Sequence, residues 1–287
     1  MKLSARVLST FALIGCAAAS AGAQAETAAQ AQLIVKAGSS LVSFPQGVAV
    51  DSHGDIFIAD TNGNAVKEIQ PFGSSFTVSV LGSGFKNPQG IAVDSHGNVF
   101  VGDAGNNAVK EILAAGGYTT VKTLGSGFSA PYGIAIDAHD NVFVADTLHN
   151  AVKEILAAGN YVTVKTLGKG FRLPNGVGVD ASGNVYVADE GHNAVKEILA
   201  ASGYVTVKTL GFGFNAPNGV AIQNSGHIFV ADTYNNAVKE ILVTGLSTKI
   251  NTVATGLSLP TAVAVDSKGN LFIADTFNNA VKESLAP

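Results

Sequence analysis

The sequence predicts an all-β fold, a six-bladed β-propeller, and three observations carry that prediction. Pro45, Pro88, Pro131, Pro174, Pro217 and Pro260 recur at a constant spacing of 43 residues. Each opens a unit with a Gly-Val-Ala-Val-Asp-type run, a polar turn, a Phe-Val-Ala-Asp-type run and an Asn-Ala-Val-Lys-Glu end. A fixed period of roughly 40 to 50 residues holding several short strands is the pattern of one four-stranded blade per repeat. The third observation concerns the two ends. The last copy has only three strands before Pro287, and residues 32 to 44 supply a stretch ahead of the first Pro. Val35-Lys36 stands as far before Pro45 as Val121-Lys122 does before Pro131, so the N-terminal strand is expected to complete the sixth blade and remove the exposed edges.

The second copy shows how each element is read. Gly90 to Asp94 is predicted as strand a, Ser95 to Asn98 as a hairpin turn, and Val99 to Gly102 as strand b. Asp103 to Asn107 form the next turn, Ala108 to Leu113 strand c, and Tyr118 to Leu124 strand d. Runs such as Val142-Phe143-Val144-Ala145 are apolar on both strand faces, as befits a strand sandwiched between neighbouring blades. Gly47, Gly90, Gly133, Gly176 and Gly219, with Ala262 in the sixth copy, begin strand a, where six strands crowd about the axis and a missing side chain lets them approach.

Residues 1 to 25 are expected to be a signal peptide. Lys2 and Arg6 precede the apolar stretch Val7 to Ile14, and Ala23-Gln24-Ala25 is an A-x-A cleavage pattern. The alternative is Leu13-Ile14-Gly15-Cys16, which resembles a lipobox and would make Cys16 a lipid anchor. Either route places the protein outside the cytoplasm, secreted, periplasmic or anchored at the cell envelope. A short linker, 26–31, then leads into the propeller domain, 32–287. Cys16 is the only cysteine, so the domain has neither disulfide nor thiolate metal site. Without Lys2 and Arg6 the 17 basic residues fall to 15 against 21 acidic ones, a net charge near −6. That sign opposes a nucleic-acid partner, which needs clustered positive charge. No second apolar run has the length of a membrane span. A monomer is expected.

The unit resembles the NHL repeat, in which Pro-x-Gly-Val-Ala-Val-Asp is paired with Gly-Asn-Val-Tyr-Val-Ala-Asp. The third copy reads Pro131-Tyr132-Gly133-Ile134-Ala135-Ile136-Asp137, and the fourth Gly183-Asn184-Val185-Tyr186-Val187-Ala188-Asp189. The resemblance implies a propeller of the kind used for protein interaction, RNA binding or extracytoplasmic sensing, and as the body of some lyases and related hydrolases. One departure is systematic. Where the family usually carries Arg, this chain has Ala65, Ala108, Ala151, Ala194, Ala237 and Ala280. A methyl group cannot make the bidentate contacts of a guanidinium, which argues further against RNA.

Repeated polar residues read as scaffold. Asp60, Asp103, Asp146, Asp189, Asp232 and Asp275, with the Asn four positions later in each copy, suit turn chemistry better than a cation ring. The Lys-Glu pairs beginning at Lys67 and Lys110 read as solvated or inter-blade ion pairs, worth about 0–1 kcal/mol each. His53, His96 and His139 share the a-to-b turn. His149 and His192 lie in b-to-c turns and form the one pair to consider for metal, yet belong to different blades. No His-Glu-x-x-His, Gly-x-Ser-x-Gly or Walker pattern occurs, and no catalytic residue, metal or cofactor is assigned.

Function is therefore sought where the copies differ. The residue after each Pro varies: Gln46, Gln89, Tyr132, Asn175, Asn218 and Thr261. These six are expected to form the rim of the channel and to bind a neutral polar ligand, because all can donate and accept hydrogen bonds and Tyr132 adds an aromatic surface. Around them Lys86, Lys169 and Arg172 are expected to meet Leu148, Phe212, Tyr234 and Phe277. The leading reading is a non-catalytic binding or scaffold module for a protein, peptide or glycan. The alternatives are a lyase- or lactonase-type enzyme with a metal-assisted channel site, and a purely architectural repeat.

Overall fold

The computed structural model describes residues 29–30, 32–36, 41–72, 75–223, 225–245 and 247–285. The signal-peptide and lipid-anchor expectations fall outside them. The described residues form six sheets arranged as six blades, each of antiparallel strands a to d. Blade 2 consists of Pro88–Val93, Val99–Asp103, Ala108–Ile112 and Val121–Leu124. Strand a thus includes the Pro, and strand d is shorter than the sequence suggests. Tyr118 is left-handed, φ 60°, so it cannot continue the strand. Its carbonyl instead accepts the Gly82 N–H at 2.8 Å, and its ring lies 6.4 Å from Phe57 of blade 1.

Every strand b is buried along its whole length, because both its faces are covered by neighbouring blades. The apolar core is accordingly six clusters, each shared by two successive blades. Phe57 and Leu81 of blade 1 pack with Ile91, Val99 and Ile112 of blade 2. The seam between the last and first blades has the same construction, with Phe272, Ala274 and Val281 against Val48, Ile56 and Ile58.

A second layer of contacts joins the blades. Each strand b ends in a tight turn whose last Asn is left-handed, such as Asn107 at φ 52° and Asn150 at φ 54°. The amide oxygen of that Asn accepts the backbone N–H of the residue before the next blade's Pro. Asn107 takes Ala130 at 2.8 Å, Asn150 takes Leu173 at 2.8 Å, and Asn279 takes Phe44 across the seam at 2.7 Å. Asn serves because it tolerates left-handed backbone and carries an acceptor on a short stem.

The repeated Asp and Lys residues are paired with each other within one blade, which corrects the expectation of Lys-Glu pairs that are solvated or join blades. Lys110 Nζ lies 2.6 Å from Asp103 Oδ2, 2.6 Å from the Gly84 carbonyl and 5.2 Å from the centre of the Phe85 ring. The carboxylate is fully buried, and its other oxygen accepts the Lys86 N–H at 2.7 Å. The same pair recurs in all six blades. Each Asp is therefore neutralised within its own blade, which argues against a ring of carboxylates sharing cations.

Gln32–Lys36 lies antiparallel beside Ala280–Ser284, as the outermost strand of the sixth sheet. Val35 stands opposite Val281, in the position that Leu81 and Leu124 hold opposite Val66 and Val109. Strict 43-residue spacing would assign Gly38 to that place, so the strand enters at a shifted register. Ala29–Gln30 pairs parallel with the outer strand of blade 5.

Candidate functional site

Each strand a runs along the central channel, and its Gly is required by the next blade. A Cβ on Gly90 would stand 2.0 Å from the Tyr132 carbonyl oxygen, and one on Gly176 2.1 Å from that of Asn218. The ring is drawn in until backbone meets backbone, and the space left is small. The six predicted rim residues all line this one cavity, of about 60 Å³. A single water needs about 10–15 Å³ by the same measure, so the channel holds a few waters and no whole sugar. A larger ligand must sit over the mouth and insert one group.

The six rim residues are not equivalent. Gln46, Gln89, Tyr132 and Asn218 are half-buried, whereas Asn175 is 3% exposed and Thr261 9%. Thr261 Oγ1 is committed to scaffold, bonded to Thr276 Oγ1 at 2.6 Å and donating to the Gln46 carbonyl at 3.2 Å. Asn175 Nδ2 donates to a carboxylate oxygen of Glu190, while its Oδ1 is buried with no donor. Turning the amide over would set its oxygen against the carboxylate, so this orientation is the favourable one.

Glu190 is the residue that the sequence reading missed. It opens the b-to-c turn, where the other copies have Thr61, Ala104, Thr147, Thr233 and Thr276. The four threonines are structural clips. Each Oγ1 donates to the carbonyl of the next blade's Pro, as from Thr147 to Pro174 at 2.8 Å and from Thr233 to Pro260 at 2.8 Å. Glu190 has left that role and turned to Asn175. The signal was present in the repeat alignment, as a lone charge at a position otherwise Thr or Ala. Tyr132, on the neighbouring blade, feels the change. Burial first, and then the Glu190 charge, push its phenol pKa up, so the phenol stays protonated.

The histidines do not assemble. His149 and His192 each bind the Asp of their own blade, Asp146 and Asp189, at 2.8 Å. Of the described residues, the donors close enough for a metal are Asp94, His96 and Asp140, at the a-to-b turns on the opposite face, within 4.8 Å of one another. Asp94 is already engaged by the backbone N–H groups of His96 and Asn98 and by the Asn98 side chain, at 2.8 Å each. Outside the channel mouth Leu148, Phe212, Tyr234 and Phe277 are 60%, 72%, 60% and 56% exposed. Lys86, Lys169 and Arg172 are exposed on the same face. Among the described residues no helix is long and apolar enough to cross a membrane.

Ring closure of six four-stranded units about a narrow axial channel defines a six-bladed β-propeller. The NHL repeat model matches residues 43–68, 85–112, 171–198 and 214–241, and the chain belongs to the NHL-repeat propellers. No curated protein matches it. Solved structures share its fold at low identity. Virginiamycin B lyase from Staphylococcus aureus is 16% identical, with 90% of this chain and 88% of the other covered and a TM-score of 0.64. A gluconolactonase from Xanthomonas campestris is 13% identical, with 91% and 96% covered and a TM-score of 0.71. A chain of the nidogen/laminin complex is 19% identical, with 77% and 86% covered and a TM-score of 0.67.

Proposed function

We propose that this protein is an exported, non-catalytic binding module whose entrance face takes a protein, peptide or glycan. The observation that carries the reading is the contrast between mouth and channel. The channel is too narrow to enclose a substrate, while the mouth combines exposed Leu148, Phe212, Tyr234 and Phe277 with the side-chain amides of Gln46, Gln89 and Asn218. Aromatic anchors beside polar groups are what interfaces favour. A propeller of the same fold in the nidogen/laminin complex supports the use of such a surface for a protein partner. The leader pattern of residues 1 to 25 supports export.

A second reading, a lyase- or lactonase-type enzyme, is favoured by one observation, the unrepeated Glu190 carboxylate beside the rim. The folds of the lyase and the gluconolactonase are compatible with it. The test is the melting temperature of the purified protein against sugars, peptides and divalent metals, repeated in Tyr132→Ala and Asn175→Ala. A ligand at about a hundred times its Kd stabilises by about 2.7 kcal/mol, a shift of a few degrees. A sugar or peptide shift that disappears in the rim variants supports the binding module. A metal-specific shift accompanied by turnover of a lactone or ester supports the enzyme instead.

A further inference from the structure

Where blade 4 meets Tyr132 of blade 3, the rim differs chemically from its counterparts, and the difference points to a ligand group. Asn175 Oδ1 is a buried amide oxygen facing no donor. A buried polar atom left unpaired is costly, and native structures rarely keep one without a reason. One of its two amide hydrogens is spent on Glu190, so acceptors outnumber donors in this pair: Asn175 Oδ1 and the Glu190 carboxylate stand against one remaining N–H. Glu190 also lacks a counter-charge. Lys196 and His192 both turn to Asp189, at 2.5 and 2.8 Å, and Arg172, whose stem lies beside Gly191, forms no ion pair with Glu190 among the described residues. Tyr132, being neutral or anionic in either protonation state, cannot supply that charge, but it adds an aromatic ring to the lining.

We infer that this junction is a subsite for a primary ammonium group on a slim alkyl chain. The inference rests on the binding-module reading and deepens it. A –CH2–NH3+ end brings three donors and one positive charge, which matches an unpaired amide oxygen, a carboxylate without a counter-charge and a neighbouring aromatic ring. A neutral hydroxyl would leave the Glu190 charge uncompensated. A hard divalent cation needs six or more oxygen ligands, and here one carboxylate already accepts an amide hydrogen bond. The channel, at about 60 Å³, admits the end of an alkylamine but not a bulkier group. The same chemistry can come from a lysine side chain of a partner protein or from a free amine.

The test uses the purified protein, labelled with ¹⁵N and titrated by NMR with butylammonium, 1-butanol, magnesium chloride and the capped tripeptide acetyl-Gly-Lys-Gly-amide. Butylammonium should bind about tenfold or more tightly than butanol, the contribution of one charge-assisted hydrogen bond, and should shift the Asn175 side-chain amide signals. Glu190→Thr should lose that preference. It installs the residue that four other copies use as a clip, so folding is retained, and a melt at or above that of the wild type checks this. Tighter binding of the tripeptide assigns a partner's lysine; equal or weaker binding assigns a free amine. Equal affinity for butanol and butylammonium, an unchanged preference in Glu190→Thr, or displacement of butylammonium by magnesium would overturn the subsite. If the ammonium preference is absent while rim-dependent shifts with sugars or neutral peptides persist, only the subsite fails. If no ligand gives a rim-dependent shift, the binding-module reading fails with it.

Discussion

Gly102 and Tyr132 are matched to each other across the blade 2–blade 3 junction. A Cβ placed on Gly102 would lie 2.5 Å from the Tyr132 carbonyl oxygen and 2.7 Å from that of Pro131. The other copies carry Ala59, Ala145, Ala188, Ala231 and Ala274 at this position, so repeat consensus alone would recommend Gly102→Ala as a stabilising change. Geometry reverses the sign. Both obstructing atoms are backbone, and strand a of blade 3 would have to move outward, taking Tyr132 with it. Gly102→Ala is expected to destabilise by about 1–3 kcal/mol, the usual cost of overpacking. A thermal melt checks the sign, and a rise in melting temperature would refute the account.

The buried Asp-Lys pairs make a second expectation, opposite to what surface pairs would give. Asp103 is fully buried and Lys110 nearly so, 14% exposed, with the Lys also capping the Gly84 carbonyl. Lys110→Met leaves a buried carboxylate without its charge partner and is expected to cost about 3–5 kcal/mol. The double replacement, Asp103→Asn with Lys110→Met, should cost less than the single Lys change, because no uncompensated charge remains. Urea denaturation of the wild type, both single variants and the double closes the cycle. A Lys110→Met loss below 1 kcal/mol would return these pairs to the solvated class.

Glu68 supplies a pH dependence whose sign is unusual for a carboxylate. It is 5% exposed, and burial, followed by the charges of Asp55 and Asp51, raises its pKa above the ordinary value. The folded state therefore holds this proton more tightly than the unfolded chain, and stability from this group falls as pH rises through the raised pKa. Glu68→Gln should melt above wild type at pH 7, and the gap should close on acidification towards about pH 4, near the ordinary carboxylate pKa. A gap that is constant across that range would show that ionisation of Glu68 costs nothing.

What the sequence made legible follows from repetition. Anything done six times, such as the strands, the axial glycines and the Asn turns, stands out against chance and has one explanation for all copies. Partners from different parts of one repeat are harder to read. Nothing in the Asp103 and Lys110 spacing says that strands b and c bring them together in a dry site, so the lysines looked solvated. The a-to-b hairpin was clear from its turn residues, but the start of strand d was not, because a left-handed Tyr118 has no composition signal. Rim position was legible from the Pro-x-Gly frame, and the cavity is lined by all six residues named for it. Glu190 is harder to read, because its significance depends on reaching Asn175 of its own blade, a contact that only the fold creates.

The ends of the chain give the last prediction. Phe44, Pro45 and Gln46 already meet blade 6 through the Asn279 amide, the Thr276 hydroxyl at 2.7 Å and the Thr261 hydroxyl at 3.2 Å. The Asn bond recurs at all five other junctions and the Thr bond at three of them, and none of the three seam bonds involves Gln32–Lys36. Two closure models therefore differ. If the N-terminal strand is the staple, deleting residues 1–36 uncovers the edge of Ala280–Ser284, lowers the melting temperature by several degrees and makes blade 6 fray before the rest. Deleting 1–31 should change little in that case, since the paired strand is kept. If the seam bonds suffice, the two truncations melt alike, and Asn279→Ala becomes the change that opens the ring. Hydrogen exchange on the amides of Ala280–Ser284 separates the models directly: fast exchange confined to the 1–36 deletion supports the staple, and protection equal to that of the full chain excludes it.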